Sequence, residues 1–212
     1  YFKPTKTGIE GKLAACKYAR ESKKPFFGIC LGFQCAVIEG ARNLLKLENA
    51  SSTEFEKNTK EPVVMFMPEG STTHMGGTMR LGLRRTVFQK RKDEDKSMVQ
   101  LLHGGDEFVD ERHRHRYEVN PDYVERLEKV GYRFIGKDET GKRMEVFERD
   151  RKEHPYFVGC QYHPELKSRP SCPSPNFFGL ILAASGQLDE YLKTALTASE
   201  MKRVSSSTSF TM

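Results

Sequence analysis

Pro25-Phe26-Phe27-Gly28-Ile29-Cys30-Leu31-Gly32-Phe33-Gln34 is the stretch from which the rest of the chain can be read. It starts as a short apolar run, the mark of a buried strand. It then passes through Gly28-x-Cys30-x-Gly32 into Leu31–Leu47, whose apolar spacing is helical. A strand, a sharp turn and a helix with one nucleophile between two glycines is the nucleophile-elbow pattern, with Cys in place of Ser. Such a turn crowds any Cβ lying between the strand and the first helical turn, which predicts a need for both Gly28 and Gly32. At a helix N-terminus, unpaired N–H groups and the positive end of the dipole favour an anion. A thiolate at Cys30 with a lowered pKa is therefore expected. A thiol that merely packs is the competing reading, and the two glycines weigh against it.

The 212 residues are enough for one domain with a substantial core. Charged residues make up 30% and hydrophobic ones 37%, ordinary for a soluble globular protein. No apolar run approaches the ~20 residues of a membrane helix, and no secretory h-region follows Tyr1. Five cysteines without CxxC spacing point to reduced thiols in a cytoplasmic setting rather than to disulfides or zinc. The net charge of +6 permits an acidic partner, but opposite charges alternate closely, which favours a plain solvated surface. The first residue is not Met, and Tyr1–Gly8 reads like the middle of a longer chain.

Outward from the elbow, Glu10–Ser22 has the spacing of an amphipathic helix. Asn49–Pro62 reads as a loop and Val63–Met67 as a strand. Pro68–Gly82 is a Gly- and Thr-rich loop, a lid or a plain connection. Leu83 and Thr86–Phe88 suggest an edge strand leading to a charged turn, Gln89–Lys96. Ser97–Leu102 suits a short helix, and Arg112–Val119 alternates like a strand. Asn120-Pro121 offers an N-cap and first-turn proline for a helix to Val130 that Gly131 closes. Tyr132–Lys137 and Arg143–Glu148 form a hairpin around Asp138–Gly141. Tyr156–Tyr162 is an apolar strand running into His163-Pro164-Glu165, and Asn176–Leu196 is helical. Residues 1–198 are expected to form one domain, with a disordered Ser/Thr-rich tail over 199–212. Interleaved strands and helices with a late hairpin indicate an α/β sheet with antiparallel additions.

An activated thiol needs a base, and the base an orienter. His163 and Glu165 stand two apart at the end of a buried strand, so an extended backbone points both the same way. A carboxylate beside a histidine fixes its tautomer and stabilises the imidazolium. Active groups gather at the carboxyl ends of strands in open α/β sheets. In Arg112-His-Arg-His-Arg116, two histidines face one side of a strand. No cluster completes a metal site there, and without interleaved aromatics the basic run makes a poor nucleic-acid surface.

These residues carry a resemblance. Gly28–Gln34 and Gln161-Tyr-His-Pro-Glu165 resemble the class I (triad) glutamine amidotransferases. Ser52-Thr-Glu-Phe55, Met75-Gly-Gly-Thr-Met-Arg-Leu-Gly82, Glu111–Asn120 and Ser168-Arg-Pro170 resemble, more narrowly, the C-terminal glutaminase domain of the CTP synthase family, from about Gly8 to Leu192. The resemblance implies a flavodoxin-like mixed sheet flanked by helices, lacking the family's first strands. It implies hydrolysis of L-glutamine to glutamate and ammonia, with a separate N-terminal amidoligase half using ATP and Mg²⁺ to aminate UTP to CTP. No cofactor or metal is implied in this domain. GTP is implied as an activator acting through the Met75–Gly82 loop, and a homotetramer, sometimes filamentous, as the assembly. By motif position Cys30 is the nucleophile, His163 its base and Glu165 the orienter. Leu31, Gly32, Phe33 and Gln34 fall in the glutamine-binding segment, with the Leu31 N–H on the oxyanion. Glu54 meets the substrate's α-amino group and Arg116 its carboxylate, a sensible division for a zwitterion.

The resemblance breaks at the start. The family has Pro-Gly-Gly-Phe-Gly before the motif that is here Gly8-Ile-Glu-Gly11, and one of those glycines supplies a second oxyanion N–H. Lys3 occupies that place. Losing one such donor typically costs ~10²–10³ in rate. Two readings therefore stand: a working glutaminase, or a non-catalytic module that binds glutamine or serves assembly. A different triad hydrolase, acting on γ-glutamyl or peptide bonds, fits the Glu54 and Arg116 matches less well.

Overall fold

The computed structural model describes residues 6–67, 79–90 and 96–208. The chain runs through helix α1 (Lys6–Glu21), strand β1 (Phe26–Ile29), helix α2 (Leu31–Asn43) and strands β2 (Ala50–Ser52), β3 (Glu61–Phe66) and β4 (Arg80–Phe88). Helix α3 (Met98–Leu102), strands β5 (Phe108–His115) and β6 (Tyr117–Val119) and helix α4 (Pro121–Lys129) follow. The hairpin β7 (Arg133–Asp138) and β8 (Met144–Glu148), strand β9 (Phe157–Cys160), a 3-10 turn (Pro164–Leu166) and helices α5 (Pro175–Ala184) and α6 (Leu188–Thr208) complete it.

Six strands form one mixed sheet in the order β1-β9-β8-β7-β4-β5, and β2-β3-β6 form a second, small sheet. β1 and β9 pair in parallel, which brings the ends of two strands far apart in sequence to the same edge. The hairpin β7–β8 and the ribbon β4–β5 pair antiparallel. Side chains alternate across the main sheet. Phe157 packs with Phe33, Tyr132 and Phe147 in one core, while Val158 and Cys160 join Val99, Val146 and Leu182 in the other. The first core is covered by α1, α2 and α4, the second by α3, α5 and α6. This is the expected mixed sheet flanked by helices.

Several boundaries differ from the sequence reading. α2 stops at Asn43 rather than Leu47, because Lys46 turns to φ 59° and Leu47 N–H folds back to the Ala41 carbonyl. The stretch expected as a loop, Asn49–Pro62, contains β2, three buried residues too short to show periodicity. β4 begins at Arg80 and is no edge strand, since it lies between β5 and β7. Its two faces differ: Arg85 pairs with Asp110 of β5 at 2.9 Å on one, while Arg80 reaches the buried Glu145 at 2.8 Å on the other. The single strand expected over Arg112–Val119 is split at Arg116, leaving β5 in the main sheet and β6 in the small one. The long C-terminal helix is broken by Gly186, at φ 75°. α6 then continues past the boundary expected at Ser199 to Thr208, through helix formers such as Ala198, Glu200 and Lys202. Ser199 itself is buried, and Lys96 Nζ donates to its hydroxyl. The loop expected as a lid falls mostly outside the described residues, as does Lys3.

Candidate active site

The site lies where β1 and β9 end. Ile29 pairs with Cys160, and the next amide, Cys30 N–H, donates to the Cys160 carbonyl at 2.8 Å. Cys30 itself takes φ 50° and ψ −100°, a conformation rare outside glycine, and α2 starts at the following residue. Strain of this kind survives only where its surroundings over-determine it. Gly28 is part of that frame: a Cβ there would meet the backbone C and O of Gly32 at 2.8 Å. The expectation for Gly32 is corrected. A Cβ on Gly32 would meet nothing within 4 Å, so the crowding comes from its backbone and not from its missing side chain.

The thiol is not lowered in the way a helix N-terminus alone would lower it. Burial pushes Cys30 up to about 11, with the carboxylates of Glu54 and Glu165 adding to the rise. The Leu31 N–H and the Gln161 side chain pull the other way. A sulfur in this setting is deprotonated by a neighbouring base rather than by solvent at neutral pH.

The histidine expected to be that base follows β9. Three residues beyond Cys160, His163 opens the 3-10 turn, and its N–H donates to the Arg112 carbonyl of β5 at 2.8 Å. The turn is thus anchored to the far edge of the sheet. His163 Nδ1 lies 2.6 Å from Glu165 Oε1. Its Nε2 is buried and has no hydrogen-bond partner among the described residues. One ring nitrogen is therefore held by a carboxylate and the other left for a proton arriving from elsewhere.

The small sheet positions the two charges expected to meet an amino acid. Glu54 sits in the turn after β2, whose Thr53 N–H donates to the Val64 carbonyl of β3. β3 pairs with β6, and Met67 N–H donates to the Arg116 carbonyl. Partial burial raises the Glu54 carboxyl while Arg116 lowers it, so the two side chains share one field. The Glu54 charge is also felt at Cys30. Arg116 Nε is buried without a hydrogen-bond partner among the described residues.

The Leu31–Gln34 segment divides. The Leu31 N–H lies against the sulfur. Phe33, by contrast, is wholly buried with its ring 5.2 Å from Phe147, so its side chain serves the core and faces no substrate. Gln34 is also buried, and its Nε2 donates to the Tyr117 carbonyl at 2.9 Å and to Gln161 Oε1 at 3.1 Å.

In the sequence Gln161 stands out only as part of the Gln-Tyr-His-Pro-Glu motif, yet its Nε2 reaches Cys30 Sγ at 3.6 Å. His113 and His115 turn inward from β5, 3.1 Å apart, with Glu145 Oε1 at 3.8 Å from His113. Burial and each other's company press His113 down to about 2, and burial with Arg80 presses His115 down to about 3, so both are neutral. Among the described residues no group of His, Cys, Asp and Glu is arranged to hold a metal ion. No described helix is long and apolar enough to cross a membrane.

Comparison with known proteins agrees with this fold. A family model described as glutamine amidotransferase class-I matches residues 3–183. CTP synthase 1 of Danio rerio is 54% identical over 186 residues, and CTP synthase of Neurospora crassa is 54% identical over 189. These matches cover 88% and 89% of this chain but 30% and 32% of those proteins, so the chain spans about a third of their length. The glutaminase domain of Trypanosoma brucei CTPS, solved with bound acivicin, is 35% identical with a TM-score of 0.78, over 88% of this chain and 69% of that one. The chain belongs to the class-I glutamine amidotransferase family and, within it, is a glutaminase domain of the CTP synthase kind.

Proposed function

We propose that Cys30, His163 and Glu165 form the triad with which this domain hydrolyses L-glutamine. The observation that carries the reading is the His163 ring, tied to Glu165 at 2.6 Å through Nδ1 and, among the described residues, without a hydrogen-bond partner at its buried Nε2. His163 Nε2 takes the Cys30 proton, and the sulfur attacks the carboxamide carbon. Leu31 N–H receives the developing oxyanion. The imidazolium, steadied by Glu165, returns the proton to the departing nitrogen, and ammonia leaves a glutamyl thioester. Water, deprotonated by the same ring, opens the thioester to glutamate and restores the thiol. Arg116 holds the substrate carboxylate and Glu54 its ammonium group.

In the parent protein the ammonia is delivered to an amidoligase part, where ATP and Mg²⁺ activate UTP for amination to CTP and GTP promotes glutamine cleavage. Roughly two thirds of each curated relative lies outside this chain, room for that part. The protein works in the cytoplasm and as a tetramer. Ammonia release from glutamine by the full-length protein, with and without GTP, tests the reading. Release that Cys30→Ala abolishes supports it, and release that persists in Cys30→Ala contradicts it.

A further inference from the structure

The sulfur of Cys30 has a neighbour to which the triad assigns no work. Gln161, fully buried, reaches the sulfur through Nε2 at 3.6 Å, a hydrogen-bond distance for the larger sulfur atom. A side-chain amide could in principle present either its oxygen or its nitrogen to the thiol. Here the choice is fixed from a distance. The Tyr117 carbonyl can only accept, so the Gln34 amide must turn its NH2 towards it, at 2.9 Å. The second N–H of that group meets Gln161 at 3.1 Å, which requires an oxygen there. With its oxygen so occupied, Gln161 has only its NH2 left for Cys30. A main-chain carbonyl beside Arg116 thus sets the polarity of a chain of amides that ends on the nucleophile. Glu54, Glu165 and the Cys160 thiol are the titratable groups whose fields meet that sulfur, and both carboxylates oppose its ionisation.

We propose that Gln161 is a positioning residue of this site, holding the Cys30 sulfur and supporting its charged form by a donated N–H whose direction Gln34 enforces. The proposal rests on the reading of Cys30 as the nucleophile. An N–H facing a thiolate makes a charge-assisted hydrogen bond, stronger than one facing a thiol, so it favours ionisation at the moment His163 takes the proton. It also keeps the sulfur from rotating away from the base.

The test is alkylation of Cys30 by iodoacetamide in the full-length protein, followed on the Cys30 peptide by mass spectrometry from pH 7 to beyond pH 11. In Gln161→Leu the rate at pH 8 falls about tenfold, one pH unit's worth of thiolate. The deficit narrows as the pH passes the thiol's midpoint, where both proteins are ionised. A rate equal to wild type at pH 8, or a deficit that stays constant through the midpoint, overturns the proposal, because simple occlusion or misplacement lowers the rate equally at every pH. Gln34→Met, which leaves Gln161 in place but frees its amide to turn, shows a smaller deficit that narrows in the same way; no deficit there also overturns it. Alkylation is read without turnover. Ammonia release surviving in Cys30→Ala would therefore sink the glutaminase reading while leaving the alkylation result to be judged by itself.

Discussion

Cys30 is held at φ 50° by its neighbours and not by its own preference. Its amide is bonded to Cys160, its carbonyl to the Gln34 N–H, and Gly28 leaves room for the Gly32 backbone. That turn was legible because Gly-x-Cys-x-Gly after an apolar run has few other uses. The ionisation of the thiol was not, since burial and two carboxylates depend on chain segments over 20 residues away. Glu165 is the most direct residue-scale check on the triad. Glu165→Gln keeps the size but withdraws the charge that steadies the imidazolium and fixes the tautomer. Its kcat is expected to fall about 10²-fold or more with KM little changed, a loss within the general acid–base range. A KM effect alone would assign Glu165 to substrate binding instead. Gly28→Ala, which drives a methyl to 2.8 Å from the Gly32 backbone, is expected to lower soluble yield and ammonia release together.

Among the elements, α2 carries the most consequence, since its first turn presents the sulfur and its length packs against the sheet. Gly40 lies against the Tyr132 ring, where a Cβ would come within 2.4 Å of a carbon. That ring is fully buried and its hydroxyl is spent on the Ala36 carbonyl at 2.7 Å, so it has nowhere to go. Gly40→Ala is expected to cost about 1–3 kcal/mol in urea unfolding, despite the better helix propensity of alanine. Asn120, which caps α4 by accepting from Asp122 N–H at 3.1 Å, is a lighter case, and Asn120→Ala is expected to cost about 1 kcal/mol. That cap was legible from Asn-Pro before an amphipathic run. The split of Arg112–Val119 into β5 and β6 was not, because alternation reports which face a residue takes and not which sheet receives the strand. The break falls at Arg116, and it lets one continuous segment place histidines under the main sheet and an arginine in the field of Glu54.

At the scale of the whole molecule, the parallel pairing of β1 with β9 sets Cys30 against Cys160, three residues before His163, across more than half the chain. No periodicity announces such a meeting; the family's motifs did, while the amide chain through Gln161 and Gln34 needed coordinates. Stability should carry the signature of the buried histidines. His103, His113 and His115 are pressed by burial from 6.5 down to about 4, about 2 and about 3. Unfolded, each takes up a proton below about pH 6.5, and folded it does not. The unfolded state is therefore favoured as the pH drops, by about 2 kcal/mol for each histidine at pH 5. Glu111 acts oppositely: burial raises it to about 7, so its folded form gains a proton first and offsets roughly one histidine. Unfolding free energy is expected to fall between pH 7.5 and 5, and His113→Gln to flatten that fall by about 2 kcal/mol. An unchanged slope would mean that His113 is protonated in the fold.

Covalent chemistry at one sulfur underlies the proposed glutaminase activity. Acid-quenching the full-length protein during glutamine turnover and mapping its peptides by mass spectrometry measures this directly. A glutamyl group on the Cys30 peptide, and on no peptide carrying Cys16, Cys35, Cys160 or Cys172, is the predicted result. Sustained ammonia release with the Cys30 peptide unmodified and its replacement by alanine without effect would contradict it.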